Sequence, residues 1–279
     1  MDRSQFFEVA PEMEFTGERI VPGRTAETLF LEHEQRYVFA SRYVAGKVVL
    51  DVACGAGVGT SFLRRMGAGR VWGLDIAPDA IAYARARYPE CEFAQSEATS
   101  LCLPDCSVDV VVSFETLEHV KDQKRFLREC WRVLRPGGLL ICSTPNTTIY
   151  RWQGGNPFHI RELTLREFAD FVSTHFEDLR LFSQDERLYT LYVLRRLVSR
   201  TLEALGLKET VKKYLRPEPS SSEMREEFSV HDSRGTPEIR SYRKAWLRQP
   251  MYLIAVGRKA SAAARGNECQ EARTDGKRT

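Results

Sequence analysis

Acidic and imidazole side chains that could carry out acid–base or metal chemistry cluster in one short segment. Glu115, Glu118 and His119 lie within five residues, directly after the apolar run 108–114, and His159 follows forty residues later. Two carboxylates and two imidazoles can hold a divalent cation while leaving positions open for hydroxyl groups. The sequence therefore predicts a metal site of Glu115, Glu118, His119 and His159, in which Glu118 and His119 are the catalytic residues.

Two other interpretations of this segment stay open. His119 could act alone as the base that removes a proton from an acceptor, or as a ligand of that acceptor. Glu118 could serve the structure only, because the first turn of a helix favours an acidic side chain. The residue types by themselves do not choose among the three interpretations.

A glycine-rich turn follows the first apolar run, at residues 48–52. Gly55, Gly57 and Gly59 can adopt positive φ and let a ligand approach the backbone, and the carboxyl end of a strand in an open α/β sheet is where ligands bind. A dinucleotide site would need a third glycine where Thr60 stands, and the Gly-Lys-Ser/Thr of a phosphate-binding loop is absent. S-adenosylmethionine, which has no pyrophosphate, is a third interpretation that competes with these two.

Three acids follow three successive predicted strands. Asp51 could hold the cationic amino-acid end of such a ligand, directly or through water. Asp75 could accept from both ribose hydroxyls, and Glu97 could accept from the adenine amino group. Each could instead cap a helix or carry a solvated charge. Their recurrence at strand ends favours a nucleoside ligand.

A helix predicted over residues 26–43 precedes the first strand and could bring Arg36 or Tyr37 to the methionine carboxylate, although both could also lie on an exposed face. The predicted cofactor-binding residues are Tyr37, Asp51, Ala53, Gly55, Gly57, Asp75, Ile76, Glu97, Ala98 and Phe114.

Strands and helices alternate along most of the chain. Short apolar runs predict strands at residues 48–52, 71–74, 91–95, 108–114, 138–143, 179–182 and 251–256. Amphipathic segments between the earlier runs predict helices. This alternation gives a mostly parallel sheet covered on both faces, so the expected fold class is α/β, a Rossmann-like doubly wound sheet.

Composition changes divide the chain into five predicted segments. They are an N-terminal cap segment and helix over 1–45, a core over 46–184, an insert over 185–250, a final core strand over 251–259 and a disordered tail over 260–279. The insert contains an amphipathic pattern at 191–207 and a loop or lid at 217–240. We expect the insert to shape an acceptor site.

The overall composition excludes some classes of protein. A net charge of +3, from 41 basic and 38 acidic residues, gives no electrostatic reason to expect nucleic acid as a partner. No signal peptide and no apolar run of about 20 residues is present, so no transmembrane segment is expected. Seven cysteines without a framework predict reduced thiols in a cytoplasmic protein. The oligomeric state is left open.

Several of these motifs together resemble the class I S-adenosylmethionine-dependent methyltransferases, of the type 11 or 23 kind. Residues 50–57 resemble their motif I, 73–76 the ribose motif, 97–104 the adenine motif and 114–120 motif IV. The resemblance covers about residues 15–185 and 251–259. It implies a seven-stranded sheet whose last strand is antiparallel, S-adenosylmethionine as the cofactor, and methyl transfer as the activity.

A closer similarity is to bacterial methyltransferases of surface-glycan and O-antigen gene clusters. It is carried by residues 16–19, 32–33 with 36–37, 156–162 and 183–184. It implies a glycan or another polyhydroxylated small molecule as acceptor. Glu115-x-x-Glu118-His119 is also similar to a motif of metal-dependent O-methyltransferases in ubiquinone synthesis and small-RNA end protection. The alternatives are therefore a quinone, lipid-linked or RNA acceptor with Mg²⁺ or another divalent cation, and a binding protein without turnover.

Overall fold

The computed structural model describes residues 19–21, 24–151, 156–188, 197–198, 201, 204–206, 239–242 and 248–261. These residues form one mixed sheet of eight strands with helices on both faces. The strand order is β3-β2-β1-β4-β5-β8-β6-β7, numbered along the chain.

The parallel half of the sheet is centred on β1 (Val48–Val52). It pairs with β2 (Arg70–Asp75) on one side and with β4 (Val108–Ser113) on the other. β3 (Glu92–Gln95) extends the sheet beyond β2, and β5 (Leu134–Pro145) extends it beyond β4. The strand order reverses at β1, so the loops after β1 and β4 diverge there and leave a crevice.

Helices cover the two faces because alternate residues of the strands point to opposite sides. On β1, Val49 packs into one apolar core and Leu50 into the other. The covering helices are α1 (Glu27–Ala40), α2 (Val58–Arg65), α3 (Pro78–Arg87), α4 (Gln123–Val133), α5 (Thr147–Tyr150) and α6 (Leu165–Ser173). A capping box between Thr164 and Glu167 starts α6.

The other half of the sheet is antiparallel. β8 (Arg248–Arg258) inserts between β5 and β6 (Glu177–Leu188) and runs against both. A two-residue strand, β7 (Arg240–Ser241), pairs with the outer edge of β6. The predicted α/β Rossmann-like fold with an antiparallel last core strand is confirmed, and β7 is an eighth strand that the sequence pattern did not indicate.

Several element boundaries differ from the predictions. β6 and β8 are both longer than expected, because each continues the ladder that the two strands share. Residues 197–198, 201 and 204 are helical, in agreement with the pattern at 191–207. The loop or lid predicted before residue 239 and the tail beyond 261 lie outside the described residues, and the five-segment division stays a prediction.

Two expectations from composition can be compared with the described residues. No helix among them is long and apolar enough to cross a membrane. Five cysteines are free thiols, namely Cys54, Cys91, Cys102, Cys130 and Cys142. Cys106, however, takes part in a disulfide. The expectation of reduced thiols is therefore wrong at this position, and the cytoplasmic location stays a prediction.

Candidate active site

A cavity of about 930 Å³ opens at the carboxyl ends of the parallel strands. Twelve of the fourteen different residues predicted from the sequence line it. They are Tyr37, Ala53, Gly55, Asp75, Ile76, Glu97, Ala98, Phe114, Glu115, Glu118, His119 and His159. Asp51 and Gly57 are not part of its lining, so any role they have in binding is indirect.

The turn after β1 forms the first wall of the cavity. Ala53, Gly55 and Gly57 all have positive φ. A Cβ on Gly57 would stand 2.8 Å from the Cβ of Ala84 and would also press on the Phe93 ring. A Cβ on Gly59 would overlap the Tyr37 ring. The glycines therefore serve close packing of α1, α2 and α3 around the turn as well as its backbone conformation.

Asp51 lies beneath this wall and is fully buried. Its carboxylate accepts hydrogen bonds from the Tyr37 hydroxyl at 3.1 and 3.2 Å and from the Thr60 hydroxyl at 2.6 Å. Burial raises the pKa of Asp51 to about 7, against the lowering effect of these two hydrogen bonds. Asp51 therefore anchors α1 and α2 to the strand and does not contact the cavity directly.

Asp75 occupies the end of β2 and faces the turn. Its two oxygens accept from the backbone N–H groups of Gly55 and Ala77, at 2.8 and 2.9 Å. The carboxylate thus ties the glycine turn to the second strand. It also lines the cavity, where its remaining lone pairs are available to a ligand diol.

The far wall of the cavity is formed by residues that follow β2 and β3. Ile76 is 62% exposed there, a large apolar side chain with little protein cover. Glu97 is exposed, and one of its oxygens accepts from the Thr99 hydroxyl at 3.3 Å. An apolar side chain facing an acid across a cleft provides a flat contact and a hydrogen-bond acceptor, the two features that an adenine base can use.

Glu118, His119 and His159 come together at the other end of the cavity. One ligand atom from each lies within 4.8 Å of the others. His119 Nε2 is 3.9 Å from Glu118 Oε1, and the two imidazole rings meet edge to face at 4.8 Å. The predicted fourth member of the metal site, Glu115, lines the cavity but does not belong to this cluster.

Surrounding groups fix the orientation of each cluster member. His119 Nδ1 lies 3.2 Å from the Phe158 carbonyl, and His159 Nδ1 lies 2.7 Å from a Glu162 oxygen. Both arrangements use Nδ1, which leaves Nε2 as the nitrogen that can bind a ligand. Glu118 is anchored through Oε2, which accepts from the Thr144 hydroxyl at 3.0 Å.

The loop that carries His159 is built on the backbone of Glu118. The backbone N–H groups of Ile160 and Arg161 both donate to the Glu118 carbonyl, at 2.8 and 3.2 Å. The Gln123 side chain donates to the carbonyls of Leu117 and Arg161 and so joins the two loops again. Residues about 40 positions apart are therefore held together by the backbone itself.

The inner oxygen of Glu118 has no hydrogen-bond partner among the described residues, although the side chain is fully buried. Burial, and then the neighbouring Glu115 carboxylate, raise the pKa of Glu118 well above its usual range. A buried acceptor without a donor costs on the order of 1–3 kcal/mol. A buried oxygen without a hydrogen-bond donor is typical of a position where a ligand binds.

Arg36 is a site residue whose position the sequence did not predict. Its side chain is fully buried, points away from the glycine turn, and stacks on the Tyr252 ring at 4.2 Å. Its Nε donates to Gln184 Oε1 at 2.9 Å, and its Nη1 lies 3.9 Å from Glu115 Oε1. Gln184 and Tyr252 come from the antiparallel half of the sheet, and no pattern in the sequence signals that they meet α1.

Comparisons with known proteins agree with this architecture. Residues 50–142 match the family model described as "Methyltransferase domain". A protein of Mycolicibacterium smegmatis described as "Probable S-adenosylmethionine-dependent methyltransferase" is 43% identical over 163 residues, which are 57% of this chain and 63% of that protein. A "Ubiquinone biosynthesis O-methyltransferase" of Xanthomonas oryzae is 38% identical over 117 residues, 40% of this chain and 48% of that protein.

A solved structure described as a SAM-dependent methyltransferase from Thermotoga maritima has the same fold. It superposes with a TM-score of 0.54 at 16% identity, covering 82% of this chain and 89% of the other. The chain spans less than two thirds of the length of the curated relatives that it matches. The matched residues 50–142 are thus similar to a methyltransferase domain and lie within a Rossmann-like α/β sheet.

Proposed function

We propose that the chain is an S-adenosylmethionine-dependent methyltransferase that methylates a hydroxyl group of a glycan or another polyhydroxylated small molecule. The observation that carries this proposal is the cluster of Glu118, His119 and His159 in the same cavity as the glycine turn. A hydroxyl group has a high pKa and needs help to lose its proton, and this cluster can provide that help. The relatives that match support the methyl-transfer chemistry.

The cofactor fits the end of the cavity that the glycine turn and Asp75 form. S-adenosylmethionine supplies the methyl group, which its sulfonium makes electrophilic. Asp75 would accept from the ribose hydroxyls, Ile76 and Ala98 would contact the adenine face, and Glu97 would accept from the adenine amino group. The turn at Ala53 and Gly55 would hold the methionine end, with Tyr37 and Phe114 behind it.

The cluster fits a divalent cation on three observations. The inner oxygen of Glu118 is buried without a partner among the residues described. Each histidine has its Nδ1 engaged, and His159 is backed by a carboxylate, as in protein metal sites. Two imidazoles and one carboxylate favour Mn²⁺, Fe²⁺, Co²⁺ or Zn²⁺ over Mg²⁺, which prefers oxygen ligands. Glu118, His119 and His159 would hold the cation.

A bound cation would lower the pKa of the acceptor hydroxyl and orient it toward the methyl group. The chain itself supplies the positioning: Thr144 fixes Glu118, Glu162 fixes His159, and the Phe158 carbonyl fixes His119. A reacting oxygen held about 3 Å from the methyl carbon needs such rigid support.

Two further candidates each have one observation in their favour. The likeness to a ubiquinone biosynthesis O-methyltransferase favours a catechol-type acceptor. The partial exposure of His119 to the cavity, 29% of its side chain, favours a reaction in which this histidine is the base and no cation takes part. Nothing in the described residues favours an RNA acceptor or a binding protein without turnover over these.

One experiment tests the proposal and separates the candidates. The purified protein is incubated with S-adenosylmethionine labelled in its methyl group, with methyl α-glucopyranoside or 3,4-dihydroxybenzoate as acceptor, and with Mn²⁺ or excess EDTA. We expect transfer to a hydroxyl that EDTA abolishes and Mn²⁺ restores. An equal rate in EDTA would dismiss the cation and leave His119 as base. No transfer to either acceptor would contradict the acceptor class.

A control separates failure of the acceptor from failure of the cofactor. Binding of S-adenosylhomocysteine, measured by calorimetry, does not depend on any acceptor. Affinity that stays immeasurable at millimolar concentration would overturn the whole assignment of the cavity.

A further inference from the structure

We propose that Glu115 stays outside the cation cluster and receives the proton of the acceptor hydroxyl, with its carboxylate held by Ser143 and by the buried Arg36. This inference rests on the proposed function. It departs from the sequence-based prediction, in which Glu115 is a ligand of the cation.

The position of Glu115 is fixed by contacts that do not involve the cluster. Ser143 donates to Glu115 Oε1 at 2.6 Å, and the backbone N–H of Glu115 donates to the Ser143 hydroxyl at 3.2 Å. The residue has a φ of +51°, a conformation that a side chain other than glycine adopts at a cost of about 1–3 kcal/mol. A reciprocal pair with Ser143 holds this conformation, and the carboxylate does not belong to the cluster.

The contacts of Glu115 leave one oxygen available to the cavity. The hydrogen bond from Ser143 and the approach of Arg36 Nη1, at 3.9 Å, both involve Oε1. The side chain is 14% exposed and lines the cavity, as does its neighbour in sequence, Phe114. Oε2 is therefore placed to accept a hydrogen bond from a hydroxyl that lies between the cluster and the cofactor.

The other candidate bases at this end are occupied or unsuited. With Nε2 on a cation and Nδ1 engaged, neither His119 nor His159 has a lone pair left for a proton. Glu118 accepts a hydrogen bond from Thr144 through Oε2 and would bind the cation through Oε1. The half-buried His33 also lines the cavity, but it lies on α1 and does not belong to the cluster.

Arg36 provides the charge that Glu115 needs beside it. The guanidinium is fully buried, and neither Nη1 nor Nη2 has a hydrogen-bond partner among the described residues. Gln184 and the Tyr252 ring fix it from the opposite side. A carboxylate that is mostly buried needs a positive charge beside it to offset the cost of its burial. Arg36 is thus a positioning residue that acts through Glu115.

The proposed step balances in atoms and charge. The acceptor oxygen forms a bond to the methyl carbon while the bond from that carbon to sulfur breaks. The acceptor proton passes to Glu115 Oε2, and the electron pair of the broken bond stays on sulfur. The sulfonium becomes a neutral thioether and the Glu115 carboxylate becomes a neutral acid, so one positive and one negative charge disappear together.

The decisive experiment compares cation binding with catalysis in near-isosteric variants. Mn²⁺ binding to the protein with S-adenosylhomocysteine is measured by electron paramagnetic resonance for the wild type, Glu118→Gln, Glu115→Gln and Glu92→Gln. Glu92 lies at the opposite end of β3 and pairs with Arg70, so it is the matched control. We expect Glu118→Gln to weaken Mn²⁺ binding by at least about 100-fold, and Glu115→Gln to change it by less than about 3-fold.

The rate is then measured with whichever hydroxylated probe, methyl α-glucopyranoside or 3,4-dihydroxybenzoate, the wild type methylates faster. At saturating Mn²⁺, Glu115→Gln should lower kcat by about 10²–10⁴-fold, which is the usual contribution of a general base. Loss of Mn²⁺ binding in Glu115→Gln, or a rate within about 10-fold of the wild type, would overturn the proposal. Mn²⁺ binding that survives Glu118→Gln would instead refute the cation site.

The role of Arg36 has its own test. We expect Arg36→Lys to keep most of the activity, because it keeps the charge, and Arg36→Met to lose nearly as much as Glu115→Gln. The double variant Arg36→Met with Glu115→Gln should lose little more activity than either single variant, because both substitutions disrupt the same Arg36–Glu115 pair. Additive losses would refute the coupling. If Arg36→Met does not fold, Ser143→Ala takes its place in the double-mutant cycle with Glu115→Gln. That cycle tests whether the hydrogen bond from Ser143 supports the role of Glu115.

Discussion

The two ends of the cavity differ in how completely their buried polar groups are satisfied. At the cofactor end, both oxygens of Asp51 and both oxygens of Asp75 accept hydrogen bonds from the protein. At the cluster end, Glu118 Oε1 and the two terminal nitrogens of Arg36 are buried without a hydrogen-bond partner in the described structure. At the cofactor end these groups are hydrogen-bonded within the protein. At the cluster end, buried groups are left for a ligand to contact.

This difference has a physical explanation. A nucleoside is bound by preformed surfaces, so the residues that shape its pocket can be fully bonded to each other beforehand. A cation and a reacting hydroxyl need ligands whose lone pairs are not yet used. Each buried group left without a partner costs stability, and a fold keeps it only where a ligand offsets that cost. Substitutions at both ends of the cavity can test this contrast.

The most damaging substitution is expected to be Asp75→Ala. The change removes the acceptor of the proposed ribose hydroxyls and the hydrogen bond that ties Gly55 to β2. Charge-assisted hydrogen bonds contribute about 1.5–3 kcal/mol each, so the affinity for S-adenosylhomocysteine should fall by about 1000-fold in calorimetry. Glu97→Gln is the control. Because Glu97 is exposed, this substitution should lower the affinity for S-adenosylhomocysteine by less than about 10-fold. Unchanged affinity in Asp75→Ala would refute the ribose assignment.

The second prediction concerns the pH dependence that Asp51 imposes. Its pKa is about 7 in the folded protein and about 3.9 in an unfolded chain. Between these values the folded state keeps a proton that the unfolded state has lost, so stability falls as the pH rises from about 4 to about 7. The loss in the free energy of unfolding is at most about 4 kcal/mol, because a difference of one between the folded and unfolded pKa values corresponds to about 1.4 kcal/mol.

Asp51→Asn isolates that contribution, because its amide oxygen can still accept from Tyr37 and Thr60. The free energy of unfolding in urea should fall more for the wild type than for Asp51→Asn between about pH 4 and 7, and the two should run parallel above about pH 8. Parallel curves over the whole range would show that Asp51 ionises normally.

The third prediction tests how rigid the cofactor end is. Gly59→Ala would place a Cβ inside the Tyr37 ring, so we expect a loss of about 3 kcal/mol in the free energy of unfolding. Gly137→Ala is the matched control, since Gly137 has a φ of +80° but open space around it, and should lose only about 1 kcal/mol. Equal losses would mean that packing against Tyr37 is loose.

A weaker effect is expected at the edge of the cluster. Glu162→Gln removes the charge behind His159 but keeps a group that can accept a hydrogen bond from Nδ1. Outer carboxylates of this kind usually change metal affinity by about 10–100-fold, which a Mn²⁺ titration would detect. Glu167→Gln alters the cap of α6 and an exposed ion pair with Arg161, and should leave Mn²⁺ affinity unchanged. An unchanged affinity in Glu162→Gln would separate His159 from the cation site.

Much of this molecule follows from local sequence patterns. The apolar runs predict the strands of the parallel half. Most glycines and acids at strand ends, though not Asp51 or Gly57, could be assigned to the cavity because parallel strands end on one side of a sheet. The same rule predicts that His159 meets Glu118 and His119, and the three do form one cluster. These inferences succeed because they depend on neighbours in sequence and on one property of parallel sheets.

Contacts between distant elements could not be predicted in this way. The sequence suggested that Asp51 contacts the ligand and that Arg36 approaches the methionine carboxylate, but the structure buries Asp51 under Tyr37 and directs Arg36 to Gln184 and Tyr252. Glu115 is held by Ser143 on a neighbouring strand and does not join the cluster. Side-chain direction at these places depends on backbone conformation and on partners distant in sequence, such as Gln184 for Arg36.

The type of fold, the edge of the sheet where ligands bind, and the residue types available there are thus properties of the sequence alone. Only the packing of the folded chain decides which carboxylate is fully hydrogen-bonded and which keeps an oxygen that can accept. The same packing decides which charged side chain lies next to it. The physical reason is that a residue's type sets what bonds it can make, whereas its surroundings set which of those bonds are already made.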